Sequence, residues 1–449
     1  MEKIKSKKML ILYACSGLGV NMLNMIVGSY LCSALLTGGF DPSDIGRWTY
    51  SDTNMVIPVL WGILAAIAKV IDGLIDLPFS HFADNLKTRW GRRKPALLIG
   101  YIPMLIAYVL FLVPLQSGAT VLNTVWFALL LCIFYGTYTL TMLTYYATFA
   151  EVSKDENDIQ LLSNAKCVCD VVYFSLSFAL VPLFVSMGWN IRIVALVFLP
   201  LALTMMIPMF LLKEKKFTPE EIKAPVPKKD RPTVIKSIGF TLKDKHYIKW
   251  LCVLFVMNMG LQLFLSGINE YFSSTGINMT LVMAPCFVPV PFTILIYNWL
   301  VKKKGFGFGY RYVLLVFCAG MSLMGLVHVI PAAFLTPYAI MCSLVVSFSI
   351  GAFFSVTYSV PSQRAAARRS ENEAASSMYF AVQGLFEAVS ASIASYGILV
   401  FLKESFGGAG VSFMTLIVAG LCLIAFVMSF FLPKSILGIG KVSSEKEAA

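Results

Sequence analysis

Long apolar runs alternate with short hydrophilic connections along the whole chain. A helix of about 20 apolar residues, each rising ~1.5 Å, crosses the ~30 Å hydrocarbon core of a bilayer. The pattern predicts an all-α membrane protein. Its twelve predicted transmembrane helices lie at residues 9–36, 55–83, 96–115, 122–150, 160–186, 191–212, 249–272, 280–301, 310–330, 335–358, 374–402 and 411–432.

One long hydrophilic break divides these helices into two sets of six. It covers residues 213–248, is rich in lysine and contains Pro225, Pro227 and Pro232 among its four prolines. We expect an N-terminal six-helix bundle (1–212), a cytoplasmic linker (213–248), a C-terminal six-helix bundle (249–432) and a cytoplasmic tail (433–449). The basic excess of the linker either contacts anionic membrane lipid or serves only to set the topology.

A short internal repeat indicates that the two bundles are related. The sequence Ala150-x3-Lys154-Asp-Glu-Asn-Asp158 recurs as Ala365-x3-Arg369-Ser-Glu-Asn-Glu373, each time after the fourth span of its half. Parallel repeats around a central binding site are typical of the major facilitator fold. Together with the twelve spans and the central linker, the repeat predicts that fold.

The charge distribution predicts the orientation of the helices. The formal net charge is +12, but only 13% of residues are charged and 58% are hydrophobic, as in a membrane protein. Four lysines precede the first span, whereas the next loop contains Asp41, Asp44 and Asp52. Because basic loops remain on the cytoplasmic side, we expect a multi-pass protein of the cell membrane with both termini in the cytoplasm. The basic residues form scattered blocks and not one patch, so no nucleic-acid partner is expected.

Two aspartates in the second span, Asp72 and Asp76, are the strongest candidates for chemistry. Counted back from Asp84 at ~1.5 Å per residue, they lie ~18 and ~12 Å inside the membrane. At positions i and i+4 they share one helix face. A carboxylate at this depth costs at least ~2.5 kcal/mol, and such residues usually line a cavity or an ion path. The pair predicts a cation site.

Three accounts of this site remain open. Two carboxylates and a hydroxyl suit a hard cation such as Na+ or Li+. Close like charges also raise the pKa of one acid, so the pair is equally able to carry H+. Lys69 lies three residues before Asp72 on the same face, and a structural ion pair is the alternative.

Further polar residues within the spans are candidates for substrate binding. Lys166 with Asp170, and Gln383 with Glu387, are i, i+4 pairs that either contact a substrate or only satisfy each other. Asn21, Tyr145 and Tyr146 offer hydrogen bonds and stacking to a substrate, although such residues also join membrane helices. The ten cysteines form no metal-binding CxxC pairs and are predicted to be small buried residues.

The stretch Asp72-x3-Asp76-x7-Asp84-x4-Arg89-Trp-Gly-Arg-Arg-Lys-Pro95 resembles a signature of the glycoside–pentoside–hexuronide:cation symporters. The resemblance implies that Asp72 and Asp76 bind the coupling Na+, Li+ or H+. It aligns Thr139 with a cation-ligating threonine and Lys166 with a basic residue at the sugar site. The loop also resembles the general facilitator motif, which implies gating roles for Asp84, Arg92 and Arg93; we add Lys69 to this gating set.

The chain departs from the melibiose-carrying members of that family at several positions. Two aspartates that grip sugar hydroxyls there align with Asn21 and Met142 here. An asparagine of the cation site aligns with Ile75, and a lysine of the eleventh helix aligns with Ala388, beside Glu387. The resemblance therefore supports cation coupling more than it supports melibiose-like sugar recognition.

These observations predict a cation-coupled secondary transporter that works by alternating access, and the family resemblance alone implies a sugar or glycoside as substrate. An amphipathic, lysolipid-like or anionic substrate is the nearest alternative, and a non-transporting membrane receptor is another. The chain has no phosphate loop, GxSxG elbow or metal-ligand cluster, so neither an enzyme nor a cofactor beyond the coupling cation is expected. The fold needs no partner to complete a pathway, and we expect a monomer.

Overall fold

The structure is a computed structural model and is almost entirely helical. Some side chains within its helices lie outside the description, including those of Asp76 and Asp84. The described residues are 3–4, 6–154, 156–214, 217–223, 239, 241–287, 289–367 and 375–438.

The chain forms two compact units. The first comprises Met1–Thr37 and Pro42–Lys229, and the second comprises Gly38–Asp41 and Asp230–Ala449. The middle of the predicted linker, residues 224–238, and the end of the predicted tail, residues 439–449, lie outside the described residues. The predicted domain boundaries therefore stay predictions.

Among its described residues, the first unit contains seven α-helices before residue 213 and a short one after it. Apolar runs form the long helices, and Thr120 and Asn190 cap α5 and α7 by accepting backbone N–H groups. In chain order the helices are α1 (Lys7–Ala34), α2 (Ile45–Trp48), α3 (Pro58–Asn85), α4 (Arg93–Phe111), α5 (Val121–Val152), α6 (Glu156–Ser186), α7 (Ile191–Leu211) and α8 (Pro219–Lys223).

The second unit repeats this long-helix architecture. Asp244 caps its first long helix by accepting the N–H groups of His246 and Tyr247, and Gly276 ends that helix in the left-handed conformation. The helices are α9 (Lys245–Thr275), α10 (Met279–Phe287), α11 (Val290–Lys304), α12 (Phe306–Val329), α13 (Ala332–Ala367), α14 (Ala375–Ser392, then a π-helical turn Ile393–Ile398, then Leu399–Ser412), α15 (Met414–Ser429) and α16 (Lys434–Leu437).

The prediction of an all-α protein with many membrane spans is confirmed. Among the described residues, ten helices are long and apolar enough to cross a membrane. The bent pair Met279–Phe287 and Phe292–Lys304 makes eleven if it is one span. Met414–Ser429 is apolar but has only 16 residues. These ten helices, the bent pair and the short helix correspond in order to the twelve predicted segments.

Close packing in the first unit determines where its polar residues meet. Helix α5 packs along both α3 and α4. A Cβ atom on Gly100 of α4 would lie 2.9 Å from the Thr137 carbonyl of α5, so only glycine permits this approach. Helix α1 packs on α6 and α7 and changes to a 3₁₀ turn at Cys15–Gly17. Such turns within a helix often accompany function.

Candidate cation and substrate sites

Asp72 receives a hydrogen bond on each of its carboxylate oxygens. The Thr139 hydroxyl of α5 donates to Oδ1 at 2.7 Å, and the Lys69 ammonium, one turn earlier on α3, donates to Oδ2 at 2.9 Å. The Lys69 ammonium also lies 4.2 Å from the ring centroid of Tyr135. The structure thus brings together Asp72, Thr139 and Lys69, whereas the side chain of Asp76 lies outside the description.

The oxygen atoms of this group suit a hard monovalent cation. A carboxylate and a hydroxyl from two packed helices converge within hydrogen-bonding distance, and both are ligand types that Na+ or Li+ accepts. The Lys69 ammonium supplies the positive charge that such an ion would otherwise bring to Asp72. A cation that uses Asp72 must therefore compete with Lys69.

Three predicted substrate residues meet beside Gly17 of α1. The ideal position of a Cβ atom on Gly17 lies 3.2 Å from atoms of both Met142 and Tyr145 and 3.8 Å from the Asn21 amide nitrogen. The Tyr138 hydroxyl donates to the Asn21 side-chain oxygen at 3.0 Å. Among the described residues, none accepts a hydrogen bond from the Asn21 amide group.

Tyr145 has mainly a structural task. Its hydroxyl is fully buried and lies 2.7 and 2.9 Å from the carbonyl oxygens of Tyr13 and Ala14. These carbonyls directly precede the 3₁₀ turn of α1, where regular helical hydrogen bonding changes. Tyr145 therefore holds α1 against α5, and its hydroxyl is occupied by these two carbonyl oxygens.

Lys166 and Asp170 of α6 form the predicted i, i+4 pair. The ammonium and carboxylate are 2.5 Å apart, and their side chains keep 24% and 27% of their surface exposed. The Lys166 ammonium also lies 4.9 Å from the ring centroid of Tyr146. The group presents a cation, an anion and an aromatic face together, and its net charge is zero.

In the second unit, Gln383 and Glu387 form an ordered chain of hydrogen bonds. The Trp250 indole donates to the Gln383 side-chain oxygen at 3.2 Å, and the Gln383 amide donates to Glu387 Oε1 at 3.0 Å. Asn258 donates to the Glu387 carbonyl and to Ser390. This chain fixes the orientation of the Gln383 amide and of the Glu387 carboxyl group.

The loop before α4 is tightly folded around its predicted gating residues. Thr88 and Gly91 exchange backbone hydrogen bonds, and Gly91 takes a φ of 108° that favours glycine. The Glu214 carboxylate accepts the backbone N–H groups of Arg92, Arg93 and Lys94 at 2.6–2.8 Å. The structure therefore shows how Arg92 and Arg93 are held, while the side chain of Asp84 lies outside the description.

Glu214 is a residue that the sequence analysis missed. It follows the sixth span within the predicted linker, 120 residues after Lys94. A carboxylate at a helix N-terminus meets unpaired N–H groups and the positive end of the helix dipole. One signal in the sequence could have indicated Glu214. It is an acid close after an apolar span, and a basic loop is predicted on the same, cytoplasmic side of the membrane.

Two further ion pairs of the second unit escaped the sequence analysis. Lys403 and Glu270 are 2.6 Å apart with side-chain exposures of 1% and 0%. Asp244 accepts hydrogen bonds from the Arg364 guanidinium and the Tyr379 hydroxyl. Burial alone would raise the pKa of Asp244, but these hydrogen bonds and that of the Tyr247 N–H outweigh it and hold the pKa below its ordinary value. Neither pair has short sequence spacing, so no local pattern marked it.

Comparison with known proteins identifies the family. A family described as MFS/sugar transport protein matches residues 12–431. The chain belongs to this family. It is therefore a multi-pass transporter of the major facilitator superfamily and not an enzyme.

One curated relative and two solved structures extend this result. The lactose permease of Lactobacillus helveticus is 26% identical over 186 residues, which cover 40% of this chain and 28% of that protein. A bacterial homologue of the human lysosomal transporter Spinster shares 12% identity over 98% of this chain and 100% of its own, with a TM-score of 0.64. The nucleoside transporter NupG shares 15% identity over 96% and 100%, with a TM-score of 0.59. These two structures have the same fold.

Proposed function

We propose that this transporter is a cation-coupled symporter in the cell membrane, with both termini in the cytoplasm, and that it carries a sugar or glycoside by alternating access. The observation that supports coupling is the group of Asp72, Thr139 and Lys69. Asp72 is a membrane-depth acid bonded to a hydroxyl on a second helix and balanced by one lysine. Asp76, on the same helix face, would add a second carboxylate.

Competition at Asp72 provides a simple coupling step. A Na+, Li+ or H+ that binds Asp72 and Thr139 displaces the Lys69 ammonium from Oδ2. The Lys69 ammonium then lacks its carboxylate partner on α3. A conformation of the protein that provides another partner or solvent for this ammonium becomes more populated. Coupling then follows from the difference in cation affinity between the states.

The candidate substrate residues suit a neutral polyhydroxylated molecule better than an anion. In the first unit, Asn21 offers amide donors and Tyr146 an aromatic face. In the second unit, taken by itself, Gln383 and Glu387 form an oriented hydrogen-bonded pair. Lys166 is neutralised by Asp170, which argues against a strongly anionic substrate. The similarity to a lactose permease supports the same choice. An amphipathic substrate remains the second candidate because Met142 adds an apolar surface beside Asn21.

The first experiment measures the melting temperature of the purified protein against Na+, Li+ and K+ at constant ionic strength. A bound ligand stabilises by RT ln(1 + [L]/Kd), so a real site gives a saturable, cation-selective rise. We expect Na+ or Li+ to stabilise the parent protein but not Asp72→Asn, Asp76→Asn or Thr139→Ala. Asp52→Asn, which changes an exposed loop acid, is the matched control and should respond like the parent.

The same series decides between the coupling ions and the rival functions. If all three salts act alike, a repeat across pH tests for a proton carrier. A response that is unchanged in the three site variants contradicts the cation site and favours a receptor or an uncoupled carrier. Radiolabelled lactose and melibiose uptake into proteoliposomes, with and without an inward Na+ gradient, then tests the sugar.

A further inference from the structure

Two cysteines from distant parts of the first unit lie side by side. The Sγ atoms of Cys15 and Cys169 are 3.1 Å apart, although 154 positions separate them in the sequence. Cys15 is the first residue of the 3₁₀ turn in α1, and Cys169 belongs to α6. Both are free thiols; Cys169 is buried and Cys15 is partly exposed. The sequence alone predicts only small buried residues at these positions and not their contact.

The thiol pair lies within the group of candidate substrate residues. Cys169 directly precedes Asp170, the partner of Lys166 in the ion pair of α6. Tyr145 holds the carbonyl oxygen of Ala14, the residue that precedes Cys15. A covalent change at the thiols therefore acts directly on the contacts that position α1, α5 and α6.

The geometry requires little movement for a disulfide bond. An S–S bond is about 2.05 Å long, so the sulfur atoms need to approach by only about 1 Å. A disulfide that encloses so long a segment constrains the unfolded chain strongly. The 3₁₀ turn at Cys15–Gly17 is the point in α1 where a small backbone adjustment is most easily absorbed.

We propose that Cys15 and Cys169 form a redox-active dithiol that reacts with small soluble disulfides, and that its oxidised form links α1 to α6 and slows transport. The thiolate of the partly exposed Cys15 attacks a reagent R–S–S–R, forms a mixed disulfide and releases one RSH. Cys169 then attacks the Cys15 sulfur and releases the second RSH. The protein loses two electrons and two protons. The reagent R–S–S–R takes up these electrons and protons and becomes two RSH.

The effect on transport follows from the position of the link. The disulfide would hold the 3₁₀ turn of α1 against the residue that precedes Asp170. Any adjustment of α1 and α6 around a substrate would then be blocked, and a thiol reductant would restore it. The redox reaction itself does not depend on the proposed sugar substrate, whereas its effect on sugar uptake rests on the proposed function.

The test treats the full-length purified protein with 2,2′-dithiodipyridine or oxidised glutathione, followed by proteolysis and mass spectrometry. We expect a peptide pair linked through Cys15 and Cys169 and a rise in melting temperature of at least about 2 °C, both reversed by dithiothreitol. Cys15→Ser and Cys169→Ser should lose the link and the rise. Cys252→Ser removes an exposed thiol of α9 and should behave like the parent. Cys167 lies two positions from Cys169 and would fall in the same peptide. A link that persists in Cys167→Ser therefore belongs to Cys169.

A second measurement follows radiolabelled lactose uptake in proteoliposomes before and after oxidation. Uptake that falls with the link and recovers with reductant supports the whole proposal. A linked peptide with unchanged uptake overturns the effect on transport, and the absence of a linked peptide overturns the redox site itself. Protein that takes up no lactose in either redox state contradicts the choice of sugar. The linked peptide and the melting temperature then decide the redox site alone.

Discussion

The side chain of Asp72 forms an ion pair and, under the proposed function, would also be a cation ligand. Its two oxygens are divided between a lysine on its own helix and a threonine on a neighbouring one. The ammonium makes the carboxylate tolerable at membrane depth when no ion is bound. Because that interaction must be broken for a cation to use both oxygens, we expect Lys69 to set the cation affinity of the proposed site.

Replacement of Lys69 by glutamine should therefore tighten cation binding. The variant removes the tethered competitor and leaves the oxygens of Asp72 and Thr139 in place. We expect the half-saturating Na+ or Li+ concentration in the melting-temperature assay to fall about fivefold or more, which corresponds to ~1 kcal/mol. The resting protein should be less stable without salt, since Asp72 then lacks its counter-charge.

Lys303→Gln is the control for this prediction. Lys303 is an exposed lysine of α11, and its ammonium lies 5.1 Å from the ring centroid of Trp299. Lys303→Gln removes one positive charge, as Lys69→Gln does. Its cation dependence should match that of the parent. Weaker cation binding in Lys69→Gln than in Lys303→Gln would mean that Lys69 supports the site and does not compete with the ion.

Between elements, the contacts divide into those that sequence spacing predicts and those that it cannot. Lys166–Asp170 and Gln383–Glu387 each lie one turn apart on one helix, and the helical repeat alone brings them together. The contact between Cys15 and Cys169 depends on how α1 packs against α6, and a single sequence contains no periodic signal for it. The twelve apolar segments were predictable for the same local reason, because each one can be recognised without its neighbours.

Glu214 is the clearest example of a contact between elements with a measurable effect. Its carboxylate accepts three backbone N–H groups at the start of α4, where the helix dipole also favours a negative charge. Glu214→Ala leaves these donors without that partner and should destabilise the first unit by ~1–3 kcal/mol. Glu214→Gln keeps one acceptor oxygen and should lose less.

The measurement is the melting temperature of both variants beside Glu220→Gln, an exposed glutamate on α8. A fall confined to the Glu214 variants supports the cap. Limited proteolysis between Thr88 and Lys94 adds a local readout, since the loop should be cut faster once its carboxylate partner is removed. Equal stability of Glu214→Ala and Glu220→Gln would show that the three hydrogen bonds contribute nothing measurable.

For the molecule as a whole, the number of membrane crossings decides the topology. Twelve crossings place both termini on one side, whereas eleven place them on opposite sides. The count depends on α15, which at 16 residues and ~1.5 Å per residue is ~24 Å long, slightly less than the ~30 Å hydrocarbon core. Phe413 before it and Phe430 and Phe431 after it are apolar and exposed, and they extend the hydrophobic length enough for a full crossing.

We therefore expect the C-terminus to be cytoplasmic and the chain just before α15 to be on the opposite side. Green fluorescent protein fused after Gly438 should fluoresce, and alkaline phosphatase fused there should be inactive, because each reporter works on only one side of the membrane. Fusions after Phe406, which omit α15, should give the reverse result. An active phosphatase after Gly438, with a fluorescent fusion at the N-terminus, would mean that the chain crosses an odd number of times. The basic residues that predict both cytoplasmic ends would then have misled, and α15 or the bent pair α10–α11 would lie in the membrane without crossing it.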